Sequence, residues 1–75
     1  MEELIDACLR FKNGRYSIED LYRRLSWIGV PNEYVKLVSD AERHLELIRF
    51  TELEENWQSL SNKVVDHILE SIGYK

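Results

Sequence analysis

The side chains in this sequence able to do chemistry are Cys8, His44 and His67, with carboxylates such as Glu42 and Asp66 to orient them. A cysteine beside a histidine and a carboxylate is the raw material of an activated nucleophile, and the same residue types are zinc ligands. Their spacing supports neither use. The three fall on different predicted helices, with no histidine pair at i, i+4 and no CxxC. A thin helical bundle also has scant volume for a substrate pocket of about 300 Å³ or more. Gly14, Gly29 and Gly73 stand singly at helix ends, so there is no phosphate-cradling loop. The expectation is a protein that is not an enzyme and holds no metal or cofactor. Cys8 is read as a small apolar core residue, the histidines as surface or boundary residues.

The elements that place these residues are helical. Residues 2–12 carry Leu4, Ile5, Cys8, Leu9 and Phe11 on an apolar side, acids in the first turn and Arg10 and Lys12 in the last, which suits the helix dipole. Asn13 and Gly14 close that helix. Ser17 with Asp20 three residues on marks the start of a second, 17–28, whose stripe is Ile18, Leu21, Leu25 and Ile28, with Tyr22 and Trp27 widening it or at its rim. Gly29 ends it, and Pro31 fits the first turn of a third, 31–49. This third helix has two stripes: Val35, Val38, Ala41, Leu45 and Ile48, and beside them Tyr34, Leu37 and Leu47. Two stripes need cover on two sides, so it is read as the long central helix. A slip of phase between residues 50 and 56 precedes a fourth helix, 53–72, with Leu53, Trp57, Leu60, Val64, Ile68 and Ile72 in phase and Thr51 with Glu54 as a candidate capping box. The fold class is therefore all-α, one small four-helix bundle-like domain spanning residues 1–75.

Composition sets the outer bounds. With 44% hydrophobic and 32% charged residues the chain is too apolar to be disordered, and at 75 residues its core is small enough that a partner would help it. No apolar run reaches the roughly 20 residues that span a bilayer. Glu2 and Glu3 directly after Met1 are the reverse of a basic signal start, so the expected location is the cytoplasm. One cysteine cannot form an internal disulfide, which fits a reducing compartment.

Charge is unevenly placed. Arg10, Lys12, Arg15, Arg23 and Arg24 face only Glu19 and Asp20 in the stretch 10–24, whereas Asp40, Glu42, Glu46, Glu52, Glu54 and Glu55 outnumber Arg43 and Arg49 in 40–55. The acids are the candidate partner-binding residues, able to present carboxylates along one edge toward a basic protein. Leu25, Gly29, Val30 and Val35 have the approximate spacing of a helix-turn-helix. The residues it would offer to DNA, Asn32, Glu33, Lys36 and Asp40, include one base, and the net charge of −4 opposes phosphate. Tyr34, Leu37 and Leu47 form the face on which a homodimer would close.

In its short length, helical layout, single free cysteine and acidic run DAERHLELIRFTELEE, the chain resembles the small acidic all-helical immunity proteins with which bacteria neutralise their own nuclease-type toxins. That resemblance implies acidic side chains covering a basic toxin surface. The cluster Arg10 to Arg24 departs from the uniformly acidic surface of such proteins. The expected function is a non-enzymatic protein-binding module, in its sharpest form an immunity protein; a structural homodimer and a helix-turn-helix DNA-binding protein are the alternatives.

Overall fold

The helix ends show the local chemistry most directly. The computed structural model describes residues 2–74, and within them the chain forms α1 (Glu2–Lys12), α2 (Ile18–Trp27), α3 (Asn32–Thr51) and α4 (Glu54–Ser71), with no strand among the described residues. The fold is all-α. α1 and α4 close alike. The Arg15 N–H reaches the Arg10 carbonyl and the Gly14 N–H that of Phe11, while Tyr74 reaches Leu69 and Gly73 reaches Glu70. Both glycines sit at positive φ, +79° and +80°, where a Cβ would be strained. At α2 the capping box forms in full: the Asp20 N–H donates to Ser17 Oγ, and the Ser17 N–H donates to the Asp20 carboxylate.

Other ends differ from expectation. α2 stops at Trp27, and Ile28 turns extended, which carries its side chain into the core; the freedom of Gly29 is not used. Pro31 is the N-cap of α3 rather than part of its first turn. Thr51 does not cap α4. Its hydroxyl donates back to the Leu47 carbonyl, so α3 runs on to Thr51 and Leu53 takes the N-cap position of α4 without a side-chain bond. The Trp57 indole N–H donates to the Glu52 carbonyl and ties the corner, leaving Trp57 half-buried against the core.

The core is drawn from all four helices: Leu4, Ala7, Cys8 and Phe11; Ile18, Leu21 and Leu25 with Ile28; Val38, Ala41 and Leu45; Val65, Ile68 and Leu69. α3 is the longest helix and is covered by α2 and α4, but α1 does not touch it; α2 and α4 are the helices that touch all three others. Val35 is 51% exposed although it belongs to the expected stripe. The steps from 35 to 38 to 41 are three residues each and turn the stripe by about 60° apiece, so Val35 lies about 120° round from Ala41. On α4 the buried set is Ser61, Val65, Ile68 and Leu69, roughly one position on from the expected Leu60 and Val64, which sit at the boundary, while Leu53 is on the surface.

α2 and α3 form an antiparallel hairpin. Arg49 in the last turn of α3 donates to Glu19 in the first turn of α2 at 2.8 Å. Helices crossing near 90°, as in a helix-turn-helix, would hold those two Cα atoms roughly 28 Å apart, beyond the reach of two side chains.

Candidate functional site

The residues of the second α3 stripe and of the displaced α4 stripe meet on one face. Leu37, Ala41, Leu47 and Ile48 of α3 look across at Leu60 and Val64 of α4, and between them runs a half-open groove of about 510 Å³. A bundle of four helices has no further element to cover it. The expectation that so thin a fold lacks a pocket of this size is thus corrected, because partly buried apolar side chains at the α3–α4 seam line an open cleft along the edge of the core. The rim is polar: Asp40, His44, Thr51 and Glu52 from the α3 side, Lys63 and His67 from α4. Both histidines are exposed and share this groove, which their separation in sequence did not suggest. The sequence signal for it is periodicity alone, in that His44 lies four residues from Asp40 and His67 four from Lys63.

Cys8 lies elsewhere. It is fully buried in α1, where desolvation pushes its thiol up to about 12 despite the opposing pull of Lys12, so it stays protonated. No group of three His, Cys, Asp or Glu side chains among the described residues converges closely enough to hold a metal ion.

The six acids do not form one edge. At about 100° per residue, Asp40 projects on the groove side of α3 while Glu42 and Glu46 project on the side of Arg49, which faces α2. Glu52 joins Asp40 at the groove, Glu54 lines a hollow with Phe11, Ser17, Ile18 and Trp57, and Glu55 is exposed in the first turn of α4. Their charge is scarcely neutralised inside the fold. Among the described residues the ion pairs are Arg10–Asp6, Lys12–Asp66, Arg49–Glu19 and a long Arg43–Asp40 contact of 3.9 Å within α3. None joins a base of the stretch 10–24 to an acid of the stretch 40–55; the pair that links the two stretches, Arg49–Glu19, runs the other way.

Within that acidic stretch stand large apolar side chains that the core does not use. Leu47 is 56% exposed, Phe50 77% and Leu53 67%. They mark the corner where α3 ends and α4 begins, with Glu46, Glu52, Glu54 and Glu55 beside them in the chain. Of the expected dimer face, Leu37 and Leu47 lie on the groove, and half-buried Tyr34 is not part of its lining. No helix among the described residues is long and apolar enough to cross a membrane. Comparison with protein-family models, with curated proteins and with solved structures returns no match.

Proposed function

We propose that this chain is a non-enzymatic protein-binding module that presents the α3–α4 corner to a basic partner, and that in its sharpest form it neutralises a nuclease-type toxin in the manner of an immunity protein. One observation carries the reading: Leu47, Phe50 and Leu53 are each exposed within an acidic stretch of chain whose carboxylates the rest of the fold leaves almost unpaired. Apolar anchors ringed by charge are how interfaces divide their work. The buried centre supplies affinity, and the charged surround supplies steering and register.

The test is binding to the product of the neighbouring open reading frame, with association rate and affinity measured by surface plasmon resonance at low and moderate salt. The module binds it, and reversal of Glu46, Glu52 and Glu55 to Lys lowers the association rate and weakens the complex by about tenfold or more. A partner that does not bind, or that binds the reversed protein equally well, overturns the proposal.

A further inference from the structure

Resting on the reading of this chain as a protein-binding module, we propose that the α3–α4 groove seats a single amphipathic α-helix of the partner, apolar toward the groove and carrying Lys or Arg along the edge that lies over α3. The mode of recognition follows from the fold. With no strand among the described residues there is no sheet edge to extend, which leaves helix-in-groove as the secondary-structure mode of peptide capture. The groove fits it in length. From Leu37 to Thr51 its α3 wall rises roughly 20 Å, about four helical turns. It is open along one side, where a small ligand would be left with much of its surface in water. Ala41 is a methyl group on its floor and lets an incoming backbone approach α3 closely.

Charge fixes the occupant's edge. Asp40 and Glu52 stand near the two ends of the α3 wall, separated by roughly 18 Å along the helix rise, so bases about eleven positions apart on the occupant meet both. The α4 wall carries Lys63. Two carboxylates against one ammonium give the rim a surplus of acids, which favours a basic occupant.

The probe is an amphipathic peptide of about 18 residues, with leucines at helical spacing and two lysines about eleven positions apart, alongside a twin with glutamates in their place. Both are titrated into the full chain with backbone amide shifts as readout. The lysine peptide perturbs residues 37–52 and 60–67 and binds about tenfold tighter than its twin. Asp40→Lys abolishes the preference between the peptides, Leu60→Gln weakens both, and Lys63→Glu, on the exposed rim where folding is not at stake, tightens the lysine peptide. Equal binding of the twins, perturbations mapping elsewhere, or no binding overturns the proposal. So does concentration-dependent shifting of the same amides without peptide, which would assign the groove to a second copy of the chain. Phe50→Ser leaves peptide binding unchanged, so a groove that works beside an inert corner, or the reverse, separates failure of this inference from failure of the corner reading.

Discussion

Replacing Ser61 with alanine should stabilise the protein. Ser61 is fully buried in α4, and its hydroxyl has no hydrogen-bond partner among the described residues. Two other hydroxyls in helices escape that position by reaching back one turn: Ser26 donates to the Tyr22 carbonyl and Thr51 to that of Leu47. An unpaired buried hydroxyl costs about 1–3 kcal/mol in desolvation, and serine in a helix interior costs about 0.5 kcal/mol more than alanine. Against this stands the void left by one oxygen, of order 0.2 kcal/mol. The net gain is about 1–3 kcal/mol, and for a domain of this size each kcal/mol raises Tm by about 4–8 °C. Urea and thermal unfolding followed by circular dichroism measure it, with an unchanged denaturant slope showing that the unfolded state is not what moved. A variant no more stable than the parent, or less stable, refutes the reasoning, because it would mean that the hydroxyl is satisfied in solution.

Four further outcomes follow from the same geometry. The Asp20 carboxyl is held below the usual carboxylate range, first by the Ser17 N–H and then by the Ser17 side chain. A depressed folded-state value contributes stability above the unfolded pKa of about 4 that is lost as pH falls through the folded one, so Asp20→Asn should flatten the acid limb of the stability profile below about pH 4. Cys8 should resist a thiol-modifying reagent at neutral pH and react when urea unfolds the chain, since burial holds its thiol protonated; reaction of the folded protein would show that the core opens there. Glu19 and Arg49, both partly exposed, should couple by less than about 1 kcal/mol in a double-mutant cycle. Phe50→Ser and Leu53→Ser should change stability by no more than about 0.5 kcal/mol, and a larger loss in urea unfolding would place these side chains in the fold rather than at a contact surface.

The sequence is legible where a residue's role is settled within its own turn of chain. Ser17 with Asp20, and Gly14 and Gly73 at positive φ, need only their neighbours to act, and the structure has them doing so. Thr51 with Glu54 carries the same cap signature as Ser17 with Asp20, yet Thr51 had a second use in bonding back to Leu47. Local pattern offers both, and the packing at the corner decides. The faces of α3 and α4 were harder still. Each helix has more apolar positions than one contact can cover, so periodicity identifies two adjacent stripes without ranking them. On α4 the rank went to the stripe of Ser61 and Val65, and Leu60 and Val64 were left for the groove. The acids are close in sequence, which suggests one edge, but the turn of the helix sets Asp40 apart from Glu42 and Glu46.

These misread faces and the candidate site have one physical origin. In a chain of 75 residues, surface grows faster than the core can absorb it, so apolar residues beyond what four helices cover must remain outside. Scattered singly they would need no explanation. Apart from Trp27 at the end of α2 and Val35, they line α3 and α4, as a groove with Leu37, Ile48, Leu60 and Val64 and as a corner with Leu47, Phe50 and Leu53. Asp40 and Glu52 stand on that groove, and the acids of the stretch 40–55 find almost no cations in the fold, although Arg15, Arg23 and Arg24 make no ion pair among the described residues. If the charge pattern served only folding, those bases would be the natural partners for the acids. Keeping the two apart leaves Asp40 and Glu52 free for basic groups from outside the chain, and the apolar lining between them gives those groups something to pack against.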